Sequence, residues 1–159
     1  MACDQSGWTL HEGQLGHADV RTLLDHHFAE MRADSPPEAC HVLPPEQLAE
    51  PGLRLFALRD CEGALLGIGA LKAIGRGHCE VKSMRTSPAA LGRGVGRAML
   101  ERLIASARAM GITRLSLETG NSALFEPANR LYLGHGFEPC PPFGDYRPTA
   151  FTHFYTRAI

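Results

Sequence analysis

The spacing of apolar residues along the chain predicts alternating strands and helices. Apolar residues three or four positions apart predict one amphipathic helix over 18–31 and a second that ends at Gly111, with 99–110 supplying its apolar face. Shorter helices are predicted over 44–50, where proline suits the first turn, and around 127–133. The predicted strands are short apolar runs over 8–10, 53–59, 64–73, 79–86 and 113–119, a run that begins at Gly136, and 151–157.

The order of these elements predicts how the strands pair. The runs 53–59 and 64–73 are joined by a short polar connection that ends in glycine, which favours an antiparallel hairpin. The strand, helix and strand within 79–119 form a βαβ unit, whose two strands should be parallel. Since no linker, repeat or low-complexity tract interrupts the chain, the pattern predicts one α/β domain over 1–159 with a mixed sheet.

Composition and charge narrow the classes of function. The chain has 159 residues and a 44% hydrophobic content, which is enough for one well-packed domain. A net charge of −1 and a pI near 6.7 give no field that attracts nucleic acid or an acidic membrane. No run of apolar residues is long enough to span a bilayer, and no leader-like segment is present. We therefore expect a cytoplasmic protein that binds neither nucleic acid nor membrane.

Cysteine and histidine usage indicates neither disulfides nor a metal centre. The five cysteines are odd in number and contain no Cys-x-x-Cys pair, which suits reduced thiols with packing roles. They are Cys3, Cys40, Cys61, Cys79 and Cys140. The histidines lack metal-ligand spacing, and the pair His26-His27 should be solvated or packed on its helix. No metal is expected.

Closely spaced glycines between a predicted strand and a predicted helix carry the strongest functional signal. Gly92, Gly94 and Gly96 follow the strand that ends near Thr86. Glycine permits a left-handed backbone and a close approach to a ligand, and the start of the next helix presents unpaired N–H groups to an anion. The segment therefore predicts a site for a phosphorylated cofactor or substrate.

Two nucleotide-binding motifs match this loop poorly. A triphosphate loop requires a Gly-Lys-Ser/Thr ending, and the segment lacks one, so a kinase or an ATPase is disfavoured. A dinucleotide fingerprint would start at Gly94 but has Met99 in place of its third glycine, although Glu118 lies at roughly the expected 20-residue distance. Dinucleotide binding stays open as an alternative.

A different pattern, Arg/Gln-x-x-Gly-x-Gly/Ala after a strand, fits the loop better. In this loop pattern the chain resembles the GCN5-related N-acetyltransferase (GNAT) superfamily, whose pyrophosphate loop binds acetyl-coenzyme A. A second segment, 128–137 (ANRLYLGHGF), is similar to the Ala-x-x-Leu-Tyr-x-x-x-Gly-Phe motif of that superfamily. The segments that look like a bacterial subgroup of small-molecule acetyltransferases are 35–43, 80–86, 115–120 and 140–146.

Two positions depart from the family pattern. Leu91 stands where the loop usually begins with Arg or Gln. This difference affects one of the contacts that the family pattern makes to the phosphates. Phe125 stands where many members carry Asn. This difference affects a contact that the family pattern makes to the thioester.

The resemblance implies a GNAT-like fold, with a mixed, mostly antiparallel sheet flanked by helices on both faces, and acetyl-coenzyme A as the co-substrate. Loop N–H groups would hold its pyrophosphate, with charge-assisted contacts from Arg93 and Arg97. The strand end near Met84 would hydrogen-bond the pantetheine arm. The implied cofactor-binding residues are Met84, Arg85, Thr86, Leu91, Gly92, Arg93, Gly94, Val95, Gly96, Arg97, Asn129 and Tyr132.

Catalytic roles follow from the same resemblance. Tyr132 matches the tyrosine that protonates the departing thiolate in many members, and Glu80 is placed like the general-base glutamate of some branches. Strand periodicity predicts one shared face for Glu80, Lys82, Met84 and Thr86. On that face Lys82 would instead pair with Glu80, and this alternative stays open.

Three residues are candidates for binding the acceptor. Glu38 and His41 lie in a proline-rich loop, and Glu118 ends the last strand of the βαβ unit. Glu118 would bind a substrate ammonium group or pair with an arginine, and the pKa range of His41 suits proton transfer or substrate contact. The tail segment 143–147 either closes over the acceptor or forms a surface turn.

The sequence thus predicts an N-acetyltransferase that moves an acetyl group from acetyl-coenzyme A directly to a primary amine in a ternary complex. No residue resembles a covalent nucleophile, because Cys79 should point away from Glu80. The expected acceptor is a small molecule, amino-acid-like or polyamine-like, since the short chain has no extra peptide-docking segment. A protein or peptide N-acetyltransferase and a non-catalytic acyl-coenzyme A sensor are the alternatives, and a homodimer stays open.

Overall fold

Seven strands and three α-helices lie within residues 6–159, the part of the chain that the computed structural model describes. The strands are β1 (Trp8–Glu12), β2 (Leu53–Asp60), β3 (Leu65–Gly75), β4 (His78–Thr86), β5 (Arg114–Gly120), β6 (Glu138–Pro139) and β7 (Thr152–Ala158). The helices are α1 (Ala18–Asp34), α2 (Val95–Ala109) and α3 (Glu126–Gly134). Short 3-10 helices cover Pro37–Ala39, Pro45–Ala49, Pro88–Ala90 and Ala123–Phe125.

These elements match the predicted order and differ mainly at their ends. Helix α1 continues to Asp34, because the first residue that stops it is Pro36. The short helix predicted over 44–50 is a 3-10 helix, Pro45–Ala49. The strand predicted to begin at Gly136 is limited to β6, because the prolines that follow cannot donate ladder hydrogen bonds.

The strands form one mixed sheet in the order β1-β2-β3-β4-β5-β7-β6. Only the β4–β5 pair is parallel among the described strand pairs, and the others are antiparallel. The predicted β2–β3 hairpin and the predicted parallel βαβ unit are both confirmed. The α/β fold with a mixed, mostly antiparallel sheet is confirmed as well.

Helices cover both faces of this sheet, and each face has its own apolar core. Helix α2 buries a stripe with helical spacing that includes Met99, Leu100 and Leu103. Helix α1 covers the other face with Val20, Leu23 and Leu24. The burial of both stripes fixes the sheet between the helices.

A β-bulge interrupts strand β4. Ser83 has a positive φ of 53°, and the pairing of β4 with β3 shifts between Ile68 and Ala70. A bulge inserts an extra residue into one strand of a pair and bends that strand. Strand β4 therefore turns away from its original direction before it reaches the glycine loop.

The bulge also changes which side chains of β4 share a face. Met84 packs against the core beneath α2, and Thr86 lies near Gly96 at the start of that helix. Lys82, before the bulge, and Arg85, after it, lie on the opposite face with Tyr146 and helix α1. The prediction of one shared face for the even-numbered residues from 80 to 86 is wrong, because side chains alternate regularly only in an unbroken strand.

Strands β4 and β5 separate soon after they pair. Their parallel register covers His78–Glu80 of β4 and Arg114–Ser116 of β5. Beyond these positions the bent half of β4 leaves β5, so the sheet is open between the two strands. This opening positions the site described below.

The cysteines have mixed environments. Cys3 lies outside the described residues, and the other four are free thiols. Cys79 is buried in the core beneath α2, as predicted, whereas Cys61 is exposed in the β2–β3 turn. The packing role expected of Cys61 is therefore wrong.

We expect Leu103→Ala to lower the free energy of unfolding by about 2–5 kcal/mol, since it removes a fully buried side chain and leaves a cavity beneath α2. Urea denaturation followed by circular dichroism measures this change. Leu133→Ala is the matched control, because Leu133 is 49% exposed on α3 and its loss should cost less than about 0.5 kcal/mol. Equal effects of the two substitutions would contradict this description of the core.

Candidate active site

An apolar channel of about 380 Å³ runs between the bent end of β4 and the starts of α2 and α3. Its lining includes Met84, Arg85, Thr86, Gly94, Val95, Gly96, Arg97, Leu131 and Tyr132. The structure thus places most of the predicted cofactor-binding residues along one channel. Leu91, Gly92, Arg93 and Asn129 are not in this lining.

The glycine loop has the backbone conformation that the sequence predicts. Gly92 and Gly94 have positive φ angles of 74° and 80°, and helix α2 begins at Val95, immediately after Gly94. The first N–H groups of this helix have no carbonyl partner within it, and residues Val95, Gly96 and Arg97 of its first turn line the channel. These groups and the positive end of the helix dipole suit a phosphate.

The two arginines of the loop have protein partners. The guanidinium of Arg93 lies over the ring of Trp8, at 5.9 Å from its centroid. Arg97 is mostly exposed and pairs with Glu101 at 2.9 Å, one helical turn later. Leu91, at the position where the family pattern has Arg or Gln, is 67% exposed. Charge at this end of the channel therefore comes from two arginines that have partners and from the helix start.

Gly96 provides a test of whether the channel suits a pantetheine arm. A Cβ at this position would lie 3.6 Å from Leu131 and 3.9 Å from Thr86, both of which line the channel. A methyl group fits there at ordinary contact distance, whereas a larger side chain would occupy the channel. The absence of a side chain at Gly96 therefore leaves room for a narrow, extended ligand.

A second cavity, which we call the acceptor cleft, lies in the opening between β4 and β5. It holds about 200 Å³ and is lined by α1, the loop around His41, β4, β5 and the start of α3. The lining includes Glu80, Lys82 and Glu118. Four residues line both the acceptor cleft and the channel, namely Met84, Arg85, Ala128 and Tyr132. The two cavities therefore meet at these residues.

Tyr132 lies buried at the meeting point. Its phenol donates a long hydrogen bond of 3.9 Å to the sulfur of Met84. Burial, together with the nearby carboxylate of Glu118, raises the pKa of Tyr132 to about 12. The phenol consequently keeps its proton at neutral pH, as a proton donor must.

Glu80 is held in a buried hydrogen-bond network. Its carboxylate pairs with Lys82 at 3.1 Å, and the side chains of both residues are less than a tenth exposed. Lys82 also donates to the phenol oxygen of Tyr146 at 2.8 Å, and that phenol donates a hydrogen bond to Glu80. The ion pair with Lys82, the alternative that the sequence left open, is therefore present.

Glu118 differs from Glu80 in the charged side chains around its carboxyl group. Its carboxylate faces the acceptor cleft and has no ion pair with any residue in 6–159. Burial raises the pKa of Glu118 to about 7; the nearby charge of Lys82 lowers it and that of Glu80 raises it. Near neutral pH this carboxyl group can both accept and release a proton.

The remaining predicted site residues are divided between the cleft and other places. His41 lines the cleft and contacts the Tyr146 ring edge-on at 4.9 Å. Burial and then the charge of Lys82 lower the pKa of His41, so it is neutral at pH 7. Glu38 is exposed and lies outside the cleft lining, so the structure does not bring it to the site.

Asn129 has a structural position between α3 and the end of β5. Its amide nitrogen donates to the carbonyl oxygens of Gly120 and Phe125, each at 3.0 Å. The Phe125 ring also covers Gly120, where a Cβ would lie only 2.2 Å from the ring. Asn129 thereby holds the wall of the cleft that contains Phe125.

Helix α1 forms the opposite wall and holds Arg85 in place. Glu30 is ion-paired with Arg85, and Arg85 donates to Nε2 of His26 at 3.1 Å. Burial and then the charge of Arg85 lower the pKa of His27, which lines the cleft, to about 4. His27 is therefore neutral, and the charge on this wall comes from Arg85 and Glu30.

Two residues of the network, Lys82 and Tyr146, are absent from the predicted site residues. Tyr146 lies 64 residues after Lys82, and no local motif connects them. The aromatic and charged composition of 143–147 left two options, closure over the acceptor or a surface turn. Within this segment, Tyr146 contacts Glu80 and His41, but none of its residues lines the acceptor cleft.

The described residues contain neither a helix that could span a membrane nor a cluster of side chains that could hold a metal ion. None of their helices is long and apolar enough to cross a bilayer. Within the same part of the chain, no group of three or more His, Cys, Asp or Glu side chains could hold a metal ion.

Known proteins resemble the chain over nearly its full length. The chain is 40% identical over 152 residues to the uncharacterized N-acetyltransferase YedL of Escherichia coli strain K12. The matched region covers 96% of this chain and 95% of YedL. It is 37% identical over 151 residues to an IAA acetyltransferase of Azospirillum brasilense, with coverage of 93% and 95%.

A solved structure shares the fold at lower identity. A spermidine N-acetyltransferase from Vibrio cholerae, determined in complex with CoA and spermine, superimposes with a TM-score of 0.72 at 15% identity and covers 97% of this chain and 96% of its own. The family model described as the acetyltransferase (GNAT) family matches residues 18–137. With the geometry above, these findings show that the chain belongs to the GNAT family and is an N-acetyltransferase enzyme.

Proposed function

We propose that this enzyme transfers an acetyl group from acetyl-coenzyme A directly to the primary amine of a small molecule. The observation that carries the proposal is the meeting of two cavities at Tyr132 and Met84. The channel suits the pantetheine arm and phosphates, and the acceptor cleft opens on the other side with Glu118 in its wall. A donor and an acceptor can thus be held together in a ternary complex.

The residues present fit acetyl-coenzyme A. The glycine loop and the start of α2 would hold the pyrophosphate, and the backbone of β4 around Met84 would hydrogen-bond the pantetheine arm. When bound, acetyl-coenzyme A supplies the thioester, and its sulfur leaves with the electron pair of the broken bond.

We assign the proton acceptor to Glu118 rather than to Glu80. An amine must lose a proton before or during attack on the thioester. The Glu80 carboxylate already receives hydrogen bonds from Lys82 and Tyr146, whereas the Glu118 carboxylate has no ion pair with the part of the chain that the structure describes. A pKa of about 7 also matches Glu118 to proton transfer near neutral pH.

Tyr132 is the proposed proton donor. Its phenol lies where the two cavities meet and stays protonated at neutral pH. In this position Oη can protonate the departing sulfur, which completes the transfer without a metal or a covalent enzyme intermediate.

Direct transfer is supported by the state of the cysteines. Cys79 is buried in the core beneath α2, and burial raises its pKa, so its thiol is neither accessible nor ionised. Cys40 lines the acceptor cleft and is the thiol to monitor. Intact-mass analysis after incubation with acetyl-coenzyme A alone should show no retained acetyl group.

The size of the acceptor cleft supports a small acceptor. Its volume of about 200 Å³ is below the roughly 300–1,000 Å³ that is usual for pockets of drug-sized ligands. A protein acceptor would have to insert a single residue. The presence of Glu118 in the cleft and of Tyr132 at its junction with the channel favours a catalyst over a non-catalytic sensor.

Gly96→Val should abolish the rise in Tm that acetyl-coenzyme A produces, because the added methyl groups would occupy the channel between Thr86 and Leu131. Differential scanning fluorimetry measures the shift. Gly96→Ala is the control and should retain most of it, since its Cβ meets both neighbours at ordinary contact distances. An unchanged response of the valine variant would refute the assignment of the channel.

Glu118→Gln should lower kcat/KM by roughly 10²–10⁴-fold, because it removes the proton acceptor. In the unaltered enzyme, kcat/KM should rise with pH and level off above about 7, as Glu118 loses its proton and becomes able to accept one. The variant should lack this rise. The Glu80→Gln variant separates the two assignments: if it loses the pH dependence while Glu118→Gln keeps it, the base is Glu80.

Tyr132→Phe should lower kcat by roughly 10²-fold or more and leave the Tm almost unchanged, since only the hydroxyl group is removed from a buried ring. The measurement is thiol release under saturating acetyl-coenzyme A. A small effect with acetyl-coenzyme A would show that the sulfur leaves without help from this phenol. Tyr155→Phe, which alters a second tyrosine of the same core, is the control.

A further inference from the structure

The charged side chains of the acceptor cleft are not equivalent. Glu80, Lys82, Arg85 and Glu118 line it. Glu80 and Lys82 neutralise each other in a buried pair. Glu118 is the acid of this set without an ion pair in the described chain, and Arg85 is the cation nearest helix α1. The cleft therefore offers one free carboxylate and one guanidinium to a ligand.

Arg85 keeps donors for a ligand although it has protein partners. A guanidinium carries five N–H donors in a planar fork. Glu30 and His26 of helix α1 engage its two terminal nitrogens from one side. The side chain is still 21% exposed and lines the cleft. Its two partners fix the orientation of the fork and leave hydrogens for a second acceptor.

The β-bulge places Arg85 on the side of the sheet where an acceptor would bind. Arg85 follows Lys82 by three residues, so in an unbroken strand the two side chains would lie on opposite faces and Arg85 would face the core beneath α2. With the bulge at Ser83, Lys82 and Arg85 lie on the same face, and Glu118 stands across the opening between the strands. A ligand in the cleft can therefore contact a cation and a carboxylate together.

Resting on the proposed function, we infer that the acceptor is an amino acid: Glu118 receives its amine, and Arg85 binds its carboxylate. An arginine fork is suited to a carboxylate, with which it forms charge-assisted, often bidentate hydrogen bonds. This pairing makes Arg85 a specificity-determining residue.

A polyamine fits the same cleft less well. A polyamine carries several ammonium groups, and each buried ammonium needs an acid or another acceptor. The cleft supplies Glu118 as its one acid without an ion pair among the described residues, because Glu80 is already paired with Lys82. The structural resemblance to a spermidine N-acetyltransferase, at 15% identity, concerns the fold alone.

The rim of the cleft indicates an apolar side chain on the amino acid. Leu124 and Phe151 are 43% and 46% exposed, and both of these large apolar side chains line the same cleft. Met31 and Phe125 add apolar surface to the lining. A leucine-like or phenylalanine-like side chain would cover this rim, while its polar end contacts Arg85 and Glu118.

Matched acceptors test the inference on the full chain with saturating acetyl-coenzyme A. Leucine, leucinamide and isopentylamine share the amine and the apolar group, but only leucine has a carboxylate. We expect kcat/KM for leucine, measured by thiol release, to exceed that for the other two by roughly 10- to 100-fold. Spermidine is the fourth acceptor and should be the poorest.

Variants assign the preference to Arg85. Arg85→Gln should bring the ratio of kcat/KM for leucine and leucinamide close to one, mainly through a higher KM for leucine. Arg85→Lys, which keeps the charge and loses the planar fork, should retain part of the preference and serves if the glutamine variant does not fold. Arg54→Gln is the matched control, because Arg54 also pairs with a glutamate on this sheet, Glu12, and lies outside the cleft; it should keep the full ratio.

The outcomes separate this inference from the proposed function. Thiol release that is as fast with leucinamide, isopentylamine or spermidine as with leucine would overturn the inference and leave the transferase standing. A preference for leucine that survives Arg85→Gln would overturn the role of Arg85. Thermal stabilisation by acetyl-coenzyme A without thiol release for any acceptor would overturn the proposed function and this inference with it.

Discussion

The separation of strands β4 and β5 is the constraint on which the rest of the site depends. Parallel strands that stayed paired would close the sheet, and their backbone groups would be used up in the ladder. Here the bulge at Ser83 bends β4 after a short parallel register with β5. The cores under α1 and α2 pack on the two faces of the sheet around this opening. The acceptor cleft lies in this opening, and it meets the channel at the bent half of β4.

The two carboxyl groups of the cleft differ in their charged partners. The pair of Glu80 and Lys82 satisfies two charges that would be costly to bury alone, and Tyr146 ties that pair to the C-terminal loop. Glu118 lies across the opening without an ion pair to any residue from 6 to 159, and burial raises its pKa to about 7. Glu80 has charged and hydrogen-bonding partners, and Glu118 has no ion pair within residues 6–159. This difference gives the two carboxyl groups different chemistry.

Much of the fold and part of the site could be predicted from sequence. Periodicity identified both long helices, the β2–β3 hairpin and the parallel unit, because burial of an apolar stripe is a local property of spacing. The glycine loop was equally visible, since Gly92 and Gly94 adopt a backbone that other residues disfavour. The family assignment rested on the motifs around this loop and Tyr132, and the relatives agree with it.

By itself, the sequence determined the elements, the loop conformation and the family of this protein, because these depend on residues close together in the chain. The tertiary structure alone decided which acid is free, which face Arg85 occupies and what Tyr146 contacts. These outcomes depend on a bulge that breaks the two-residue period of β4 and on side chains tens of residues apart. A pKa depends on burial and neighbouring charge, and both come into being only when strands, helices and the C-terminal loop pack together.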